Sequence, residues 1–268
     1  MSNIILIRGG GDLASGVALR LFRVGIKCLI TEIDQPLAVR RMVSFAESVY
    51  AAHITIEGVT GRRVESFDEA MSCLKNGTIP VLVDPKAEVR QAINPLVIVD
   101  GRMTKRPPEY GLDIAPLIIG LGPGFESGKN CHAVVETKRG PTLGRVYWTG
   151  AAEQDTGLPE RVGSFQTERV LRSPANGIFL SRVRIGDSIK KGEIVAEVDG
   201  IPVIAHFDGL LRGLLHDGLP VHKNVKVGDL DPRLDPQISQ IVSDKALAVG
   251  GGVLEAILTR PEIRLQLW

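Results

Sequence analysis

Residues 3–32 read NIILIRGGGDLASGVALRLFRVGIKCLITE, and the fold turns on how the three central glycines are taken. An uninterrupted apolar run precedes them, as in a strand covered on both faces. After them Leu13, Val17, Leu21 and Val24 recur at three- to four-residue spacing, the stripe of an amphipathic helix. Gly25 stops that helix and KCLITEID reads as a second strand. A strand, a helix and a strand within ~35 residues make a βαβ unit, with parallel strands and a right-handed crossover.

Three further runs, TIPVLVDP, NPLVIVDG and APLIIGLG, lack alternation and end in Pro, Gly or Asp. With the first two they predict five buried parallel strands. The expected class is therefore α/β, with a Rossmann-like parallel sheet over residues 1–125. Residues 126–166 are rich in turn formers, with CHAVVET and LGRVYW as strand candidates, and read as a connecting segment. Over residues 167–234 the chain repeats itself. A shift of 32 superposes Gly177 on Gly209, Gly186 on Gly218, Ile189 on Val221, Lys191 on Lys223 and Val195 on Val227. Two matched β units predict a small quasi-twofold all-β module. Residues 235–268 form a carboxy-terminal helix and tail, in which Gly250, Gly251 and Gly252 imply a kink or a close backbone approach.

Lys plus Arg number 32 against 31 for Asp plus Glu, so no global field draws the chain to nucleic acid or an anionic membrane. No apolar stretch is long enough to cross a bilayer, and the amino terminus lacks the pattern of a secretory leader, so the cytoplasm is expected. Cys28, Cys73 and Cys131 are odd in number and far apart, neither a disulfide framework nor a zinc site. The histidines show no HxxH spacing, and no metal is assigned.

Gly9, Gly11 and Ala14 fit GxGxxA between a strand and a helix, the placement of a dinucleotide fingerprint. The candidate cradle is Gly9, Gly10, Gly11, Asp12, Leu13, Ala14 and Ser15. In it the backbone N–H groups of Asp12 and Leu13 would face an anion. Glu32 closes the second strand where a carboxylate would accept from ribose hydroxyls. The alternative is a plain strand-to-helix corner, and Asp12 would repel a pyrophosphate. Gly120, Gly122 and Gly124 form a second glycine turn at the carboxyl end of the fifth strand, either facing the first across a crevice or turning because of Pro123. Arg102, Lys105 and Arg106 are either an anion site or a solvated loop. Cys131 reads as a buried structural thiol. No catalytic residue is identified, because no acid–base group sits in a convincing setting.

The combination of RGGGDLASG, GLGPGF, CHAVVET, TLGRVY, the SPANG repeat and SDKALAVGGGVLEAIL resembles the YqeB family, accessory proteins of the selenium-dependent molybdenum hydroxylase system. The amino-terminal part is similar to the nucleotide-binding region of XdhC-type maturation factors. The resemblance implies a factor that matures or loads a molybdenum cofactor. It would hold a molybdopterin dinucleotide or NAD, a nucleotide-type ligand, at the glycine turn, with a molybdenum hydroxylase as partner. The repeated module is similar to the barrel-sandwich domains that carry biotin or lipoate. No lysine lies between Val195 and Leu211, where those domains attach their cofactor, so a swinging-arm carrier is rejected. Two other readings stand beside it: an NAD-dependent oxidoreductase, and a ligand-free scaffold that docks a hydroxylase.

Overall fold

Apolar runs without alternation become strands buried on both faces, and helices must then cover both faces. A computed structural model describes residues 2–159 and 161–267 and divides into two units. The first comprises residues up to Pro36, Ser44–Asp155 and those from Val242 onward; the second comprises Leu37–Val43 and Thr156–Ile241.

The first unit carries β1 (Ser2–Arg8), β2 (Cys28–Glu32), β3 (His53–Ile56), β4 (Val59–Val64), β5 (Ile79–Val83), β6 (Pro95–Asp100), β7 (Leu117–Leu121), β8 (Glu126–Ser127), β9 (Ala133–Val135), β10 (Val146–Tyr147) and β11 (Gly150–Ala151). Its helices are α1 (Asp12–Arg23), α2 (Ser48–Ala51), α3 (Phe67–Lys75), α4 (Arg90–Ile93), α5 (Asp244–Leu258) and α6 (Pro261–Arg264). Nine strands form one mixed sheet in the order β10-β9-β7-β6-β1-β2-β5-β4-β3, and β8 pairs with β11 apart from it. Pairing is parallel from β9 through to β4; β10 and β3 join the edges antiparallel. β1 lies between β2 and β6, so the order of winding reverses beside it. The carboxyl ends of β1 and β6 thus flank a topological switch point, where open α/β sheets have a crevice.

On one face Leu6, Leu29, Ile98, Ile118 and Val134 pack with Ala70 and Cys73 of α3, with Val89, and with Ile93 of α4. The alternating residues Ile5, Ile7, Ile30, Val97, Val99 and Ile119, all buried, face the other side. There α1 and α5 cross. A Cβ on Gly16 would lie 2.5 Å from the Ala246 carbonyl oxygen, and one on Gly250 would lie 2.7 Å from that of Gly16. Gly250 and Gly252 of α5 therefore serve close backbone approach, and α5 runs unbroken from Asp244 to Leu258 behind its cap, where Ser243 Oγ accepts from Ala246 N–H.

The second unit holds β12 (Val170–Arg172), β13 (Gly177–Ser181), β14 (Ser188–Ile189), β15 (Ile194–Val198), β16 (Ile201–Ile204), β17 (Gly209–Leu214), β18 (Pro220–Val221) and β19 (Lys226–Asp231). β17, β18 and β19 begin 32 residues after β13, β14 and β15 (177 and 209, 188 and 220, 194 and 226). The middle strand of each repeat is exchanged: β14 pairs with β17, and β18 with β13. The module expected as a barrel-sandwich is corrected to two open antiparallel sheets, β12-β19-β17-β14 and β16-β15-β13-β18, with no closed barrel among the described residues. The two-residue strands β14 and β18 close neither sheet onto the other. Asp229 and Asp231 are buried and held by Arg212 at 2.7 Å and Arg233 at 2.8 Å. Burial alone would raise Asp229, but Lys226 and Arg212 outweigh it and hold the carboxyl well below its usual range.

Among the described residues no helix is long and apolar enough to cross a membrane. The helix crossing makes a signed prediction. A Gly→Ala change in a helix interior stabilises by about 1 kcal/mol where the methyl has room, and Gly251→Ala, half-buried with a Cβ that meets nothing within 4 Å, is expected to do so. Gly16→Ala is expected to destabilise by about 1–3 kcal/mol, because backbone must move. Denaturant midpoints of the two variants check the opposite signs.

Candidate functional site

The turn after β1 is built largely from the chain's own contacts. Gly9 has φ +88°, and a Cβ there would stand 3.1 Å from the Arg102 backbone. A Cβ on Gly10 would stand 2.9 Å from Ala46 N. The Gly10 carbonyl accepts from Ala46 N–H at 2.9 Å and Ser15 Oγ at 3.1 Å, while Ser15 Oγ accepts from Phe45 N–H at 2.8 Å. Leu13 and Ala14 are buried, and a Cβ on Gly101 would press Ala14 at 2.9 Å.

Glu32 departs most from its expected role. Its Oε2 accepts from Gly10 N–H at 2.7 Å and its Oε1 from Ile33 N–H at 2.8 Å. Burial pushes its pKa up, against the lowering effect of those two backbone donors. The carboxylate thus takes the Gly10 amide inside the turn, and it is spent there instead of on a ribose. Asp12 Oδ1 accepts from Leu13 N–H at 3.0 Å, which takes up one of the two expected phosphate donors.

Gly11 is different from its neighbours. Its φ of −63° and ψ of 178° suit any residue, and a Cβ there meets nothing within 4 Å. It is the N-cap of α1 without a side chain to cap it, although Ser, Asp or Asn would serve the helix better. Folding explains Gly9 and Gly10; it does not explain Gly11.

Beside the turn, the switch point carries a charged lattice. Arg8, which closes β1, is 3% exposed and donates to Glu109 Oε1 at 2.6 Å and the Pro85 carbonyl at 3.1 Å. Its guanidinium lies 5.2 Å from the Tyr110 ring centroid. Asp100, which closes β6, accepts from Arg102 at 2.7 Å and from Tyr110 Oη–H at 2.9 Å. Arg102 also donates to both oxygens of Glu109, at 3.1 and 2.9 Å. Burial would raise Glu109, but the hydrogen bonds from Arg102 and Arg8 win and bring its pKa to about 2. Two guanidiniums thus face two carboxylates. Lys105 pairs with Asp155 at 2.6 Å, so Arg102 and Lys105 are both already matched. Arg8, Asp100, Glu109 and Tyr110 escaped the sequence reading, although an Arg ending one apolar run and an Asp ending another were the available signal.

The second glycine turn encloses no ligand space at its glycines. A Cβ would strike Phe125 from Gly120, the Thr137 hydroxyl from Gly122 and the Arg106 backbone from Gly124. All three glycines are consumed by packing. Cys131 is buried and free, and burial lifts its thiol to about 11, an unreactive state. Among the described residues no group of three or more His, Cys, Asp or Glu side chains could hold a metal ion.

Comparison with known proteins gives one curated relative, uncharacterized protein YqeB of Escherichia coli (strain K12), 45% identical over 255 residues. The match covers 95% of this chain and 47% of the relative, so the chain spans about half the length of the protein it matches. No family model matches. Solved structures found include an aspartoacylase family protein from Mesorhizobium loti, 16% identical over 87% of this chain and 86% of its own, with TM-score 0.29. Another is a succinylglutamate desuccinylase/aspartoacylase from Rhodobacter sphaeroides, 12% identical over 87% of each chain, with TM-score 0.27. Scores that low transfer neither a fold nor an activity.

The accessory-factor expectation is accordingly corrected. The relative is named only as uncharacterized, and Glu32 fills the turn where a molybdopterin dinucleotide or NAD was expected. The oxidoreductase reading, which drew its NAD site from the same turn, is corrected with it.

The lattice predicts an acid response. Glu109 has a folded pKa below its unfolded value of 4.5, so its contribution to stability is present above that value and lost as pH falls toward about 2. Thermal melts of Glu109→Gln and of the parent chain, compared across that window, are expected to differ at neutral pH and to converge in acid.

Proposed function

We propose that the α/β unit binds a small polar metabolite, smaller than a dinucleotide, at the carboxyl edge of its sheet beside β1 and β6. The single observation that carries this reading is Gly11. At the start of a helix on the carboxyl edge of the sheet, a glycine whose backbone needs no glycine, and whose Cβ would meet only open space, leaves the main chain open to an approaching molecule. The place is also the switch point of the sheet, where crevices take ligands in open α/β folds.

In this reading Gly11, the start of α1 and Asp12 form the floor of the site, and Glu32 stiffens it through Gly10. Arg102 and Glu109 form a polar wall, next to the turn because Gly9 packs on the Arg102 backbone. Gly9, Gly10, Leu13, Ala14 and Ser15 hold the shape and do not touch the ligand; Gly120, Gly122 and Gly124 brace the second turn. With Asp12 and Glu32 at the floor, the ligand presents hydrogen-bond donors there and not a phosphate. The cytoplasm is its place of action, which three buried free thiols suit.

Gly11→Thr tests the proposal, because Thr caps a helix about as well as Gly and leaves stability within ~0.5 kcal/mol. Two-dimensional NMR of the isotope-labelled chain, titrated with pools of polar metabolites, is expected to shift the Gly11 and Asp12 amides in a saturable way. In Gly11→Thr the affinity is expected to fall about tenfold or more, ~1.4 kcal/mol, with an unchanged melting temperature. Unmoved amides with every pool, or equal binding by Gly11→Thr, would refute the reading.

A further inference from the structure

A second place on the first unit has the chemistry of a ligand site and lies away from the glycine turn. An open cleft of about 510 Å³ is lined by Ser127, Gly128, His132, Trp148, Thr259 and Arg260. That volume is in the range of small-molecule sites, ~300–1,000 Å³. Four segments build it: β8, the residue before β9, the residue after β10, and the link from α5 to α6. His132 lies at the amino end of β7 and β9, at the sheet edge opposite the glycine turn.

Each lining group is set in a defined state. His132 N–H donates to the Ile118 carbonyl at 2.8 Å, and Ile118 N–H donates to His132 Nδ1 at 2.9 Å. Nδ1 is therefore an acceptor, so the neutral ring carries its hydrogen on Nε2, which is left as a donor. Ser127 Oγ lies 2.8 Å from the His132 carbonyl and 2.7 Å from that of Trp148, tying those two walls together. Arg260 sits with its guanidinium 5.7 Å from the Trp148 ring centroid, and its Nε donates to Glu262 at 2.5 Å. The bond through Nε leaves the two Nη groups, the forked edge that grips a carboxylate. Trp148 is 37% exposed, which leaves part of the indole open to a bound molecule.

We infer that this cleft binds a small aromatic monocarboxylate, its carboxylate held by the Nη edge of Arg260 and by His132 Nε2–H, its ring against Trp148. The charge count selects the class. The lining contains one cation and no acid, and Glu262 beside Arg260 offsets part of that charge, which suits a single negative charge better than a phosphate dianion. The exposed indole supplies the apolar surface that a bare anion would leave unused.

Benzoate, phenylacetate and cinnamate are the probes, with cinnamamide as the neutral control, added to the full chain and followed by NMR at the Trp148 indole N–H. Saturable shifts with the acids, and affinity for the amide about tenfold lower or worse, are expected. Arg260→Gln is expected to lose about tenfold or more in affinity for cinnamate, with Arg260→Lys in between because a point charge replaces the fork. Melting curves establish that the variants are folded, and Gly11→Thr is expected to bind cinnamate unchanged, which separates this site from the sheet-edge proposal. Amide and acid binding equally, Arg260→Gln binding as the parent chain does, or no shift with any of the three acids at millimolar concentration would overturn the inference.

Discussion

The approach of α1 to α5 at Gly16 and Gly250 is the contact on which both candidate sites depend. Neither helix could lie where it does with a side chain at those positions, since each Cβ would enter the other helix's carbonyl. α1 begins at Gly11, the mouth of the sheet-edge site; α5 ends at Leu258, one residue before the Thr259 and Arg260 that line the cleft. Locking the two helices together fixes the beginning of one and the end of the other against the same sheet. Packing of this kind is stiff, because a displacement of one backbone must displace the other.

Glycine has two uses that look identical in a sequence: letting a molecule near the backbone, and letting the protein near itself. GGG after an apolar strand matches a phosphate cradle under the first use. Here Gly9 admits Arg102 and Gly10 admits Ala46, so two of the three belong to the second use. Gly120, Gly122 and Gly124 all belong to the second use, admitting Phe125 of the same turn, Thr137 and the Arg106 backbone. Glu32 shows the parallel ambiguity for a carboxylate, since an acid at the end of a second strand satisfies a ribose hydroxyl or a backbone amide equally well. Only the position of the competing amide decides, and that position is tertiary.

What was legible follows from this. The runs that became β1, β2, β5, β6 and β7 were readable because burial on both faces removes alternation, a local signal. The offset between β13 and β17 was readable because matched turns need matched glycines. The exchange of β14 and β18 between sheets was not, for pairing partners leave no trace in two-residue strands. The lattice of Arg8, Asp100, Arg102 and Glu109 was hidden because each residue, taken alone, marks only the end of an apolar run or a polar loop. His132 was passed over beside Cys131; its tautomer depends on Ile118 and its charged neighbour on Arg260, both far off in sequence.

The distribution of charge decides which place suits which molecule. At the sheet edge two guanidiniums are matched by two carboxylates, and the adjoining turn adds Asp12 and Glu32, so the field there does not favour an anion. At the opposite edge Arg260 pairs, among the described residues, with Glu262 through Nε, which leaves the fork of the guanidinium beside an exposed indole. A strong pull toward anions at both edges would make the two sites compete for the same molecules. With the lattice self-neutralised, a ligand rich in donors is directed to Gly11 and a carboxylate to Arg260, and the two sites differ by sign of charge before any shape is considered.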